Sequence, residues 1–329
     1  MSLARPPKPQ SAGPLAFPGR ILVVLIALLL LGSLGWAVVV NGSIERAETL
    51  DRDVVAPGVI VPVAAGGTDI HLREQGTGQP VLLLHDFDLA GGFQWAGTAS
   101  LLGDRRVLMP DLVDFGFSAR PGERGRIHTV VGQAETMLAM LDELGITNVA
   151  VVGAGLGGSV AAQMAALQPD VVSRLVLISP EILGPEPSWQ STLYRLPTIG
   201  DAMTFTFIGA GSRADARYAS GCEGGGYCPS AEMRAVRAAA SMMPGTTEAL
   251  SARSATAPAS TLPVSLAIIT APTLIIWGGD DIVTPLSQAE DLQRALAGSS
   301  LEVVAGAGHR PHLEDPEATT NLIATFLAS

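Results

Sequence analysis

The ten residues Val149-Ala150-Val151-Val152-Gly153-Ala154-Gly155-Leu156-Gly157-Gly158 decide the fold of this chain. They begin as a continuous apolar run, which is typical of a strand buried on both faces. Small residues follow at once, and a helical pattern then continues through Leu167. The stretch therefore predicts a strand, a sharp turn and a helix. A dinucleotide-binding turn has a similar pattern, but such a turn opens its sheet, whereas several strands precede this one.

Apolar runs alternate with helical patterns on both sides of this stretch. Alternating strands and helices predict a doubly wound, mostly parallel α/β sheet. We expect strands at Val59–Ala64, Ile70–Glu74, Val81–Leu84, Val107–Met109, Leu175–Ile178, Thr273–Trp277 and Leu301–Val304, and further helices at Val130–Leu144, Leu286–Leu296 and Glu317–Leu327. The alternation of strands and helices stops over residues 181–270. This predicts a helical cap insertion over those residues, within a core of residues 58–180 and 271–329.

A separate apolar segment, Ile21–Val40, contains no charge. Twenty helical residues span about 30 Å, the thickness of a bilayer core. No small-residue cleavage pattern follows, so we expect an uncleaved transmembrane anchor rather than a signal peptide. The basic residues before it place the N-terminus in the cytoplasm and the folded domain on the extracytoplasmic side. Residues 1–20 are then a disordered cytoplasmic tail, and residues 41–57 are a linker.

Composition excludes several classes of protein. The 329 residues include 20 basic and 31 acidic side chains, and a net charge of −11 argues against nucleic-acid binding. Cys222 and Cys228 flank a glycine-rich loop and are expected to form a disulfide in an oxidising compartment. Two unrelated thiols are the alternative. No cysteine or histidine spacing predicts a metal site, and no cofactor is expected.

Five signatures, one of them the turn quoted above, lie in a fixed order along the chain. They are His85-Asp86-Phe87, the loop Pro110–Ser118, the turn Gly153–Gly158, Trp277–Pro285 and Gly306–Glu314. Together they resemble the α/β-hydrolase superfamily over residues 59–329. The position of the insertion resembles the cap-bearing branch, which contains epoxide hydrolases, dehalogenases and carbon–carbon bond hydrolases.

The resemblance implies a role for each site residue. His309 would be the general base, Asp281 the acid that orients it, and the N–H groups of Phe87 and Leu156 the oxyanion hole. The nucleophile position, however, is Gly155. Glycine has no side chain, so no covalent intermediate can form there. The turn forces a positive φ on its central residue, and glycine accepts that backbone without strain.

Other positions depart from the family pattern on the same face. Ala154 replaces a histidine often found before the nucleophile, and Asp86 stands where a glycine is usual. A carboxylate pointing inward at Asp86 would oppose oxyanion stabilisation, whereas one pointing outward would be a surface turn residue. The sequence leaves both orientations open. His85, at the end of its strand, is expected to be structural.

Two functions follow from these residues. In the first, the protein is a non-catalytic relative that binds a small apolar or ester-like molecule in a capped pocket, or a protein partner, and is held in the lipid bilayer by residues 21–40. In the second, it is a weak hydrolase. His309, oriented by Asp281, would then activate a water molecule in the space left by the missing nucleophile side chain.

Overall fold

The fold is an eight-stranded sheet with helices on both faces. A computed structural model describes residues 17–52, 58–63, 67–122, 125–181, 189–208, 227–256 and 266–329. The strands are β1 (Val59–Val63), β2 (Thr68–Gln75), β3 (Pro80–Leu84), β4 (Arg106–Pro110), β5 (Val149–Ala154), β6 (Val172–Ile178), β7 (Thr273–Gly278) and β8 (Ser300–Val304). Each predicted strand is present, with bounds shifted by a few residues.

The strand order is β1-β2-β4-β3-β5-β6-β7-β8. β2 runs antiparallel to β1 and β4, and every other pairing is parallel, as the sequence predicted. β5 lies in the middle of the sheet with all six of its residues buried. Parallel strands end at one edge of the sheet, so the loops after β3, β5, β6, β7 and β8 meet there.

Some of the helices cover the two faces of the sheet, and the others lie away from it. They are α1 (Phe17–Ala47), α2 (Ala96–Leu101), α3 (Val130–Glu143), α4 (Leu156–Leu167), α5 (Trp189–Tyr194), α6 (Pro197–Ile208), α7 (Ala231–Ser241), α8 (Thr246–Thr256), α9 (Leu286–Ala295), α10 (Pro311–Glu314) and α11 (Pro316–Ala328). Short 3₁₀ turns lie at Gly91–Trp95, Arg126–His128 and Leu266–Ile268. One apolar cluster contains residues of α3 and α4, and a second contains residues of α2 and α11.

The predicted cap stretch contains α5 to α8, which we call the inserted helices. α6 contacts α8 and also lies against α1. Cys222 lies outside the described residues, so its disulfide with Cys228 stays a prediction. The disordered tail predicted over residues 1–20 lies outside them up to residue 16, whereas residues 17–20 belong to α1, so that part of the prediction is wrong because the helix starts before the apolar segment.

The apolar segment near the N-terminus forms one long helix. Residues Ile21–Ala47 are long and apolar enough to cross a membrane. The helix runs beyond the expected anchor to Ala47, into the segment expected to be a linker. Tertiary contacts hold this extension, since Asn41 Nδ2 donates to the Thr198 carbonyl at 3.1 Å. Beyond the helix, the Glu48 carboxylate accepts the Thr247 N–H at 2.8 Å.

Candidate active site

The turn between β5 and α4 brings the nucleophile position to the loop edge of the sheet. Its central residue, Gly155, has φ 49° and ψ −116°. The positive φ is the one expected for this turn, and glycine adopts it without strain. Two residues on, Gly157 lies so close to β3 that an added Cβ would stand 2.5 Å from the Leu84 carbonyl carbon. Small residues therefore let α4 pack tightly on the strands beneath it.

The Asp86 carboxylate fills the space beside Gly155. The residue is 2% exposed, and its side chain points inward, which resolves the two orientations left open above. A Cβ built on Gly155 would overlap Asp86 Oδ1 and stand 2.5 Å from Asp86 Cγ. The Leu156 N–H donates to Asp86 Oδ1 at 3.2 Å, and the nearby Phe87 N–H helps to lower the pKa of this carboxyl. The N–H groups expected to form the oxyanion hole therefore already face an anion.

The structure brings the expected base and acid together. Asp281 Oδ2 lies 2.9 Å from His309 Nδ1. The Asp281 carboxylate also accepts the Thr284 Oγ1 hydroxyl at 2.7 Å and the Thr284 N–H at 2.9 Å. Burial alone would raise the pKa of Asp281, but these hydrogen bonds and His309 hold that pKa below its usual value. A carboxylate on Nδ1 leaves Nε2 of the neutral ring as the acceptor, and Asp86 Oδ2 lies 3.9 Å from it.

Arg310 neutralises the carboxylate at the site. Its Nε donates to Asp86 Oδ2 at 2.9 Å, and its Nη1 lies 3.4 Å from Asp88 Oδ2. Burial alone would raise the pKa of Asp86, but Arg310, His309 and the two N–H groups hold that pKa below its usual value. Arg237, from α7, forms a buried ion pair with Asp88 in which Nε donates to Oδ1 at 2.6 Å. These two arginines connect α7 and the loop after β8 to the loop after β3.

A second carboxylate lies beside this group. Glu181 follows β6, and its N–H donates to the Gly155 carbonyl at 3.3 Å. Its carboxylate, the Asp86 carboxylate and the His309 ring each have a ligand atom within 4.8 Å of the others. Burial raises the pKa of Glu181, and the nearby charge of Asp86 raises it further.

The remaining predicted residues lie around this centre. His85 is fully buried, with Nδ1 2.6 Å from the Asp86 carbonyl oxygen, and its Nε2 accepts the Leu112 N–H at 2.9 Å. These bonds fix the loop that carries Asp86, which is the structural role expected of His85. Ala154 is buried at the end of β5.

The sequence did not predict roles for Arg310, Asp88, Arg237 or Glu181 in this site. One signal could have found the first of them. Asp86 stands where the family usually has a glycine, and a buried aspartate requires a nearby cation. Arg310, directly after the expected base His309, is such a cation. The site therefore contains the expected base–acid pair in contact, a glycine at the expected nucleophile position and a carboxylate at the expected oxyanion hole.

Comparison with known proteins agrees with the fold. The chain is 27% identical to 2-hydroxymuconate semialdehyde hydrolase of Pseudomonas putida, over 83% of this chain and 95% of that protein. It is 29% identical to 2-hydroxy-6-oxo-2,4-heptadienoate hydrolase of P. putida strain F1, over 81% and 95%. A thermophilic esterase from Thermogutta terrifontis superposes with a TM-score of 0.66 at 24% identity, covering 83% of this chain and 98% of the esterase. The model of the alpha/beta hydrolase fold family matches residues 79–316, so the chain belongs to the α/β-hydrolase fold family.

Proposed function

We propose that this protein is a membrane-anchored α/β-hydrolase-fold protein that binds a ligand or partner and does not carry out the serine-based acyl transfer typical of its fold. One observation carries the proposal: the Asp86 carboxylate lies beside Gly155 and accepts the Leu156 N–H. Acyl transfer needs a nucleophile side chain and free donors for the developing oxyanion. Here the nucleophile side chain is missing, and the expected oxyanion donors already face a negative charge.

Electrostatics reinforce this argument. A carboxylate within hydrogen-bond reach of the Leu156 N–H would repel the oxyanion of a tetrahedral intermediate. Arg310 holds Asp86 in its ionised form, because the pKa of that carboxyl lies below its usual value. At neutral pH the site therefore keeps an anion where catalysis would need to create one.

The occupant and location form the rest of the proposal. The occupant is a small apolar or ester-like molecule beneath the inserted helices, or a protein partner. The anchor is the apolar part of α1, over residues 21–40, with the N-terminus in the cytoplasm and the folded domain outside. Its support is the length and apolar composition of Ile21–Ala47.

A second candidate function is a weak hydrolase that works without a covalent intermediate. The 2.9 Å contact between His309 Nδ1 and Asp281 favours it, because this pair is the part of the machinery that activates water. The curated relatives described above are named as hydrolases, which also supports it. Against it, Asp86 Oδ2 lies 3.9 Å from His309 Nε2, on the side from which that nitrogen would accept a proton from water.

An ester-hydrolysis assay separates the two functions. The full-length chain in detergent would be assayed on activated esters of short and medium acyl chains, beside His309→Ala. We expect both proteins to match the uncatalysed rate. Turnover by the parent that disappears in His309→Ala would establish the second candidate and end the first.

Membrane anchoring is tested on the full chain in cells. We expect the protein to remain in the membrane fraction after an alkaline carbonate wash, and external protease to digest its folded domain in spheroplasts. Release by carbonate would contradict the anchor, and protection from the protease would contradict the orientation.

A further inference from the structure

Asp86, Glu181 and His309 form a mixed cluster at the loop edge of the sheet. They follow β3, β6 and β8, and are therefore far apart in sequence. One carboxylate oxygen from each acid and one ring nitrogen of the histidine lie within 4.8 Å of one another. Imidazole nitrogen and carboxylate oxygen are common ligands of zinc and of related divalent ions.

The histidine is oriented as a metal ligand requires. Asp281 accepts from His309 Nδ1, so the lone pair of the neutral ring is on Nε2, the nitrogen that lies 3.9 Å from Asp86 Oδ2. A carboxylate behind the imidazole fixes the tautomer and strengthens the ligand in many zinc sites. Thr284 in turn fixes Asp281, so the supporting shell is already in place.

One carboxylate of the cluster forms an ion pair with another described residue and the other, Glu181, does not. Arg310 pairs with Asp86, and Arg237 pairs with Asp88. Within the part of the chain that the structure describes, no hydrogen bond or ion pair to the partly buried Glu181 carboxylate is formed, although the charges of His309, Arg253 and Arg310 act on it. Two neighbouring carboxylates, Asp86 and Glu181, repel each other when both are ionised. A divalent ion between them would offset that repulsion.

We propose that Asp86, Glu181 and His309 bind a divalent metal ion, with Zn²⁺ as the best match to one nitrogen and two carboxylates. The proposal rests on the proposed function, because it gives a binding role to a centre that has lost its nucleophile. Tetrahedral zinc with bonds of 2.0–2.2 Å needs ligand atoms about 3.4 Å apart, so the cluster must contract on binding. Gly155 contributes no side chain that would block this movement.

Arg310 makes the proposal specific, because it competes with the metal ion. Its guanidinium occupies the same Asp86 oxygen, Oδ2, that faces His309. The arginine side chain is 27% exposed and can turn toward solvent, but its charge opposes a nearby dication. Removal of this charge should therefore tighten metal binding, whereas removal of a ligand should weaken it.

The test is titration calorimetry of zinc chloride into tag-free, chelator-treated full-length protein in detergent. We expect one saturable site. Glu181→Gln, which is nearly isosteric, and His309→Ala should each weaken binding at least about 10-fold. Arg310→Gln should tighten it by about 10-fold, while the exposed acid Glu317 serves as a matched control, with Glu317→Gln leaving the affinity unchanged. Circular dichroism of each variant verifies folding.

Three results would overturn the site: no saturable binding by the parent, unchanged affinity in folded Glu181→Gln, or weaker binding in Arg310→Gln. The ester assay reports separately on the proposed function. A parent that binds zinc through these residues and also hydrolyses esters would contradict the proposed function and leave the metal site standing. A parent that neither hydrolyses esters nor binds zinc would contradict the metal site and leave the proposed function standing.

Discussion

Restoring a serine at position 155 should fail unless Asp86 is removed first. A Cβ at this position would stand 2.5 Å from Asp86 Cγ, well inside van der Waals contact. The backbone adds a second cost, because φ is 49° and an L side chain there costs roughly 1–2 kcal/mol. Overpacking in a buried site costs about 1–3 kcal/mol. We therefore expect Gly155→Ser to lower the free energy of unfolding by roughly 2–5 kcal/mol.

Asp86→Gly alone removes the ion pair with Arg310 and should cost about 2 kcal/mol, since the freed arginine can turn toward solvent. The double variant Asp86→Gly/Gly155→Ser no longer contains the overlap. Its loss should be smaller than the sum of the single losses by about 1–3 kcal/mol, the overpacking contribution. Urea unfolding of the four proteins in detergent measures this coupling.

The double variant should also gain ester hydrolysis, because its oxyanion hole is free and His309 can activate the new serine. Replacing His309 with alanine in that background should lower the rate at least about 10²-fold, the usual contribution of a general base. Asp86→Gly/Gly155→Ala is the matched control without a hydroxyl. A Gly155→Ser variant as stable as the parent, or strictly additive losses in the double variant, would refute the steric argument.

Three further predictions concern the surroundings of the site. Arg237→Met leaves buried Asp88 without its main partner and should lower the free energy of unfolding in urea by about 3 kcal/mol. Asp88→Leu in the same chain should recover most of that loss. A double variant as unstable as Arg237→Met would contradict the pairing. Burial lowers the pKa of His312 to about 3 from its usual 6.5. Between these two pH values the His312 imidazole is protonated in the unfolded chain but not in the folded one, so stability falls as the pH falls. Between pH 7.5 and 5.5 this accounts for about 1.3 kcal/mol, and His312→Phe should lose that share of the slope; an unchanged slope would exclude His312 as its source. The Thr247 N–H and hydroxyl both donate to the Glu48 carboxylate, so Glu48→Ala should lower stability by about 1–2 kcal/mol. Thr247→Val, which removes only the hydroxyl, should add little in the Glu48→Ala background, whereas independent losses would show that the two side chains are not coupled.

The sheet could be predicted from the sequence because its signal is local. Apolar runs such as Val149–Val152 are continuous only when helices cover both faces of a strand, and the turns between them carry family signatures. The pairing of His309 with Asp281 was instead implied by the family resemblance, because both residues lie in short motifs that carry that resemblance. Each of these inferences needed only a short window of sequence.

The direction of the Asp86 side chain could not be predicted in this way. It depends on Arg310, which reaches the site from the other end of the chain, and on the fold of both loops. Glu181 is similar, because its role depends on proximity to groups that follow other strands. The extension of α1 to Ala47 was missed because Asn41-Gly42-Ser43 favours a helix end, whereas packing on α6 lets the helix continue.

The contact of α1 with the inserted helices sets how the domain would move above a membrane. A flexible tether lets a domain explore a wide hemisphere, since its reach grows with the square root of its length. Here α1 continues into the folded domain without a flexible linker. Asn41, in its last turns, and Glu48, just after it, hydrogen-bond to the inserted helices. With the proposed anchor, the site would keep a fixed height and tilt relative to the bilayer, and the domain would rotate only about the bilayer normal. A partner on the same membrane would meet the loop edge of the sheet at a constant angle.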